Sequence, residues 1–272
     1  MQIGIRAHDC KKAPFDELIK NVNEQEFKCI QLALRFAIDE FPTDKCAMTP
    51  GMALYLKRIL AKNDVDVAVL GCYLNLGTND KEQLAQISEV YKAHIRFASL
   101  LGCGVVGTET YGFDGDASSD EALDTLIENL RPIVGYAEKM GVIIGLECVH
   151  YHTICNMKRM KRVLDAIDSP NLQVIYDPIN TFSPETYENQ AEMMTEAFEI
   201  LGDDIAVIHA KDFVVEDGKI VPAQIGEGIF RFDVLMKFLK EKKPYIHVLL
   251  EETTPDTAIR SRKYVEEQYN KA

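Results

Sequence analysis

Long apolar runs are missing from this chain. Its longest, such as VIIGL at 142–146 and the strand-like HVLLE at 247–251, fall far short of the ~20 residues that span a bilayer, so no membrane helix is expected. The opening MQIGIRAHD has no basic stretch followed by an apolar one, which argues against a secretory leader. The seven cysteines, at 10, 29, 46, 72, 103, 148 and 155, are odd in number and contain no C-x-x-C pair. Such spacing suits reduced thiols in a reducing compartment, and the expected location is the cytoplasm. Positive charge is in deficit, with 30 Lys and Arg against 43 Asp and Glu and a net charge of −13. That balance excludes nucleic acid as the main ligand, because phosphate contacts need a basic footprint. A small anionic substrate needs only a few local bases. Low-complexity tracts, linkers and sequence repeats are also absent. The 272 residues, 47% apolar, are read as one domain over 1–272 with a sizeable core.

What the chain does have is alternation. Short β-branched runs occur at 2–7, 29–34, 66–73, 104–110, 142–148, 172–178, 205–212 and 246–252. Amphipathic stretches lie between them. One carries Leu84, Ile87, Tyr91, Ile95, Ala98 and Leu101 at helical spacing, with an Asn79/Asp80 cap before it and Gly102 after it. Another starts at a Ser119 cap and stops at Gly141. Strands alternating with helices imply βαβ units and parallel pairing. Eight strands in a chain of this length predict an α/β fold of the (β/α)₈ TIM barrel type. An open doubly wound sheet would usually carry a glycine-rich loop after its first strand, and IRAHDCKKAP has none.

In such a barrel the C-terminal strand ends face the active site. The fifth strand ends in Glu147, the sixth in Asp177, the seventh in His209 and the eighth in Glu251 or Glu252. Each follows an apolar run, and crowded carboxylates repel unless a cation neutralises them. One His with three carboxylates suits a single divalent ion, Mn²⁺, Mg²⁺ or Co²⁺, with Zn²⁺ also compatible. The segment GLECVHYHTIC (145–155) looks like a local zinc cage, but strand parity turns Cys148 away from Glu147 toward the helices. His150 and His152 fall in the following loop, where His152 is a candidate substrate contact. Other candidate substrate contacts are His8, which shares parity with Arg6 on the first strand and would top the barrel mouth, Glu109 at the end of the fourth, and Lys211, which shares parity with His209. His94 reads as a core histidine, and His247 begins a strand away from the mouth.

AEKMGVIIGLE, VIYDPIN, VIHAKD, IGEGIFRFDVLMKFL and HVLLEE, in this order, resemble the xylose isomerase-like barrels. That superfamily holds sugar and sugar-phosphate isomerases, ketose 3-epimerases, inosose dehydratases and an apurinic endonuclease branch. The resemblance spans about residues 95 to 272 by motif. It implies a metal site of Glu147, Asp177, His209 and Glu251, the last chosen over Glu252 because it directly follows the apolar run. Asn180 stands in DPIN where the family often has a His, and is a candidate substrate contact. The additional His residues of the endonuclease branch have no counterpart here, so that activity is not expected. The expected function is a divalent-metal-dependent isomerase or epimerase of a sugar or sugar phosphate. Glu147 and Glu251 would exchange the roles of base and acid beside a carbonyl, through a metal-stabilised enediolate. The alternatives are an inosose-type dehydratase on the same site and a catalytically silent sugar-binding barrel. A homo-oligomer enters by analogy alone, since relatives are often dimers or tetramers.

Overall fold

The computed structural model describes residues 1–11 and 13–272. Its strands are β1 (Gln2–Arg6), β2 (Cys29–Leu32), β3 (Asp66–Gly71), β4 (Val105–Glu109), β5 (Ile143–Glu147), β6 (Leu172–Tyr176), β7 (Ile205–Ala210), β8 (Asp212–Glu216), β9 (Lys219–Ala223) and β10 (His247–Leu250). The helices are α1 (Phe15–Glu24), α2 (Leu34–Ala37), α3 (Pro50–Lys62), α4 (Lys81–Leu101), α5 (Asp120–Met140), α6 (Met157–Ile167), α7 (Gln190–Leu201), α8 (Phe232–Lys242) and α9 (Ala258–Lys271). Strands β1 to β7 run in sequence around a closed parallel barrel, and β10 closes it between β7 and β1. This is the expected (β/α)₈ TIM barrel.

Capping chemistry fixes the long helices where the sequence signals it. The Asp80 carboxylate accepts from the amides of Glu82 and Gln83, and the Ser119 hydroxyl accepts from Ala122 N–H. Gly102 and Gly141 end the same helices at φ +83° and +65°, a conformation that costs glycine little. Two apolar layers result. The main one lies between the sheet and the helices, with Phe15, Phe97, Leu126 and Phe232 fully covered. A second, smaller one fills the barrel axis with Cys29, Val69, Val105, Ile175, Val207 and Leu249.

Parity carries that inner layer into the mouth. Ile175 pairs with Val207, and Leu249 with His209, in parallel register. Side chains alternate faces along a strand, so two residues beyond Ile175, Val207 and Leu249 the interior positions are Asp177, His209 and Glu251. Glu109 and Glu147 are register partners on β4 and β5 and share that inward phase.

The structure departs from the strand-and-helix expectation in three places. The first strand stops at Arg6, and His8 lies in a short 3₁₀ turn, Ala7–Asp9. The long segment after β2 contains the one-turn helix α2 before α3 begins behind its Thr49 cap. The segment after β7, to which the alternation assigns no element, folds into the antiparallel hairpin β8–β9. Asp217 (φ +49°) and Gly218 (φ +72°) form its turn, and Asp-Gly between alternating apolar residues is a strong hairpin signal.

Candidate metal centre

Four elements bring the acid cluster together. The Nδ1 atom of buried His209 lies 3.2 Å from Glu147 Oε2 and 3.3 Å from Glu251 Oε1. Neither ring nitrogen makes an aligned hydrogen bond. Asp177 is 1% exposed, and its Oδ1 accepts from the amides of Ile179 and Asn180 at 2.9 and 3.1 Å. Its Oδ2 has no aligned donor but stands 2.9 Å from Lys211 Nζ as an ion pair. One ligand atom each from Glu147, Asp177 and His209 falls within 4.8 Å of the others. Glu251 borders this trio through His209. Glu252 turns outward, with its side chain 41% exposed and its backbone at φ +54°.

Electrostatics follow from this crowding. Burial works against the His209 imidazolium, yet Glu251 and Glu147 overcome it and lift its pKa to about 9. Burial also opposes ionised Glu251, but His209, Arg6 and Lys211 hold its carboxyl below the usual range. Asp177 moves up because of burial, with Lys211 opposing. Glu109 is pushed up to about 7 by burial and then by Glu147 and Glu251.

The donor set suits a divalent ion. Buried atoms without aligned partners, His209 Nε2 and Asp177 Oδ2, sit beside carboxylates whose mutual repulsion a cation would relieve. Glu147, Asp177 and His209 would hold it, with Glu251 alongside. Among the described residues, Lys211 is the cation that competes with an ion for Asp177.

The remaining expected residues lie around this centre. Asn180 bridges it, its Nδ2 donating to Glu147 Oε1 (2.6 Å) and its Oδ1 accepting from Lys211 Nζ (2.5 Å). His152 is buried, and its Nδ1 accepts from the Tyr111 amide at 3.2 Å and lies 3.7 Å from Glu109 Oε2. Burial lowers its pKa to about 4, so the ring is neutral at pH 7 with Nε2 as its donor. Burial and Arg6 lower His8 to about 4, and its ring faces Phe36 at 5.6 Å. His94 is half-buried rather than core. It lines a cavity of about 780 Å³ between the segments after β2 and β3 and helix α4.

Three contributors are not among the expected site residues. Arg6 reaches Glu251 Oε2 at 3.5 Å and Glu252 Oε1 at 3.3 Å, while its Nε donates to Asp9. Its parity with Gly4 inside the barrel was the available signal. Gln31 donates to the Tyr73 hydroxyl at the mouth. Arg159, 9% exposed, donates to the carbonyls of Thr153 (2.7 Å), Ser118 (2.8 Å) and Ser119 (2.8 Å). It thereby ties the loop carrying His152 to the loop after β4. Nothing in the local sequence around Arg159 marks that clamp.

The GEG stretch has a structural use. Asp212, 2% exposed, accepts from the amides of Phe213 and Phe230 through Oδ1 and of Gly226 and Gly228 through Oδ2, all at 2.9–3.1 Å. A Cβ on Gly228 would sit 2.1 Å from Asp212 Oδ1, so only glycine allows this approach.

A closed parallel barrel with carboxylates and an imidazole at its C-terminal mouth defines the class. The family model described as xylose isomerase-like TIM barrel matches residues 19–268, and the chain belongs to that family. Among solved structures, it is similar to a D-tagatose 3-epimerase-like protein, with a TM-score of 0.80 and 22% identity over 100% of this chain and 99% of that one. It is also similar to the IolI protein with a binding zinc atom, with a TM-score of 0.77 and 15% identity over 100% and 99%. A third is 3-keto-D-glucoside 4-epimerase from E. coli, with a TM-score of 0.73 and 15% identity over 99% of each chain. No curated protein matches the sequence. Identities this low carry the fold and leave the reaction to the site.

Proposed function

We propose that this protein is a divalent-metal-dependent isomerase or epimerase of a sugar or sugar phosphate. The observation that carries the reading is His209, buried between the carboxylates of Glu147 and Glu251 with no aligned partner on either ring nitrogen, and with Asp177 beside it. A divalent ion held by this set would polarise a substrate carbonyl as a Lewis acid. The chain's own residues do the rest. Glu147 and Glu251 come from different strands and flank His209, so a bound ketose meets a carboxylate from each. One takes the proton from the carbon beside the carbonyl and the other returns one. Return to the neighbouring carbon isomerises, and return to the opposite face of the same carbon epimerises. Asn180 steadies Glu147 through its 2.6 Å hydrogen bond, and neutral His152 offers Nε2–H to a substrate oxygen. Expulsion of a β-hydroxyl from the same intermediate would make the enzyme an inosose-type dehydratase.

The test is proton exchange. With added Mn²⁺, Co²⁺ or Mg²⁺ and a panel of ketoses and sugar phosphates in D₂O, deuterium should enter at a carbon beside the carbonyl. Glu147→Gln and Glu251→Gln should each lower that rate about 10²–10⁴-fold, the usual range for a lost acid–base group. Exchange that survives both changes would overturn the mechanism. A second reading, a sugar-binding barrel without turnover, draws support from Lys211, whose ammonium already neutralises Asp177. It would be favoured if the protein bound ketoses but exchanged no proton with any ion.

A further inference from the structure

A cavity of about 450 Å³ lies beside the acid cluster, between the loops after β5 and β6 and the β8–β9 hairpin. Its volume lies within the range of small-molecule sites. Asn180 and Lys211 line it and also contact Glu147 and Asp177, so it adjoins the centre described above. Beyond them the walls are mainly apolar, with His150, Lys219 and Glu252 as the polar exceptions. Ile179 and Phe182 line one side, Val149 the other, and Phe213, Ile220 and Pro222 form a roof on the hairpin. Phe213 pairs with Pro222, and Ile220 stands on the same side of β9 as Pro222. The hairpin therefore presents an apolar face to the cavity. Its root is held by Phe213 against Phe182 and Tyr187 and by the four amides on Asp212. Tyr151, 69% exposed, stands at the rim edge-on to the rings of His150 and His152.

Such walls are poorly matched to a polyhydroxylated or phosphorylated end. A buried hydroxyl or phosphate there would lose water without gaining partners. The ammonium of Lys211 is already engaged by Asp177 and Asn180, and Glu252 adds an acid to the lining. Among the described lining residues the other lysine is exposed Lys219, which lies on the opposite phase of β9 from Ile220 and Pro222.

We propose that the β8–β9 hairpin roofs a subsite for an apolar, aromatic-sized substituent on the part of the sugar remote from the reacting carbonyl. The inference rests on the isomerase or epimerase reading for which end of the sugar faces the acid cluster. Substrate choice then lies in the hairpin and Tyr151, while proton transfer lies in the strand ends.

Binding of three probes to the full chain with Mg²⁺ tests this without turnover: D-fructose, fructose 6-phosphate and 6-O-benzyl-D-fructose, each measured by calorimetry. The benzyl ether should bind at least tenfold more tightly than either of the others. Ile220→Asp should erase that preference, and Ile220→Leu should keep it. Because Ile220 packs partly against the core, the thermal midpoint of each variant is recorded with its affinities, so that a folding defect is separated from loss of the subsite. Tyr151→Ala should weaken the preference from the rim. Equal affinities, tighter binding of the phosphate, or a preference that survives Ile220→Asp would each overturn the proposal. A benzyl preference in a protein that exchanges no proton would refute the catalytic reading and support the subsite.

Discussion

An imidazole taken out of water normally loses basicity, and His209 instead gains it because two carboxylates stand within 3.3 Å. Without an ion, His209 is therefore protonated at neutral pH in the folded state. Its folded pKa of about 9 exceeds the ~6.5 of an unfolded chain. The stabilisation is therefore complete below about pH 6.5 and is lost as pH rises through 9. The size is on the order of 3 kcal/mol as an upper bound. Chelator-treated protein should show a falling urea midpoint between pH 6.5 and 9, and His209→Gln should flatten that fall. Ligand imidazole must be neutral, so loading an ion near pH 7.5 should release about one proton. Calorimetry in two buffers of different ionisation enthalpy reads that number directly. A slope equally steep in His209→Gln would place the titrating group elsewhere.

At the scale of elements, the strand ends were legible and the added hairpin was not. Glu147, Asp177, His209 and Glu251 each close an apolar run, so sequence alone put them at one end of a barrel. Their neighbours depended on side chains meeting across the mouth. Lys211 and Asn180 were visible as candidates, but their mutual bond and the Lys211–Asp177 ion pair were not. Arg6 comes from the far end of the chain, and Arg159 acts through carbonyls that leave no residue pattern. The hairpin falls between two members of the βα rhythm, which assigns no element there, although Asp217-Gly218 signals a turn. Its anchor is testable. Asp212→Ala strands four buried or half-buried amides, and each buried donor left unpaired costs about 1–3 kcal/mol before water or relaxation repays part of it. A net loss of about 2–4 kcal/mol in denaturant stability is expected. Amide exchange at Gly226, Gly228 and Phe230 should accelerate first. Unchanged protection at those three amides would mean the loop is held by other contacts.

Over the whole molecule, the centre depends on closure of the barrel. Its residues lie on β5 and β7 and just past the ends of β6 and β10, and Arg6 adds β1, which pairs with β10 to close the ring. No local segment holds more than one member of the trio Glu147, Asp177 and His209. An ion bound there must therefore stabilise the entire barrel against unfolding, because the site vanishes with it. At an ion concentration of 100 Kd that linkage contributes about 2.7 kcal/mol. For domains of 150–250 residues, each kcal/mol moves the thermal midpoint by about 2–4 °C, so a rise of roughly 5–10 °C is expected, toward the lower end for this longer chain. Asp177→Asn removes a charge without changing shape and should abolish most of that rise. Glu252→Gln, on an outward-facing side chain, should leave it intact. If both variants rose as much as the parent, the stabilising ion would be bound away from the mouth. A rise lost only in Asp177→Asn would tie the ion to this cluster by a measurement independent of any substrate.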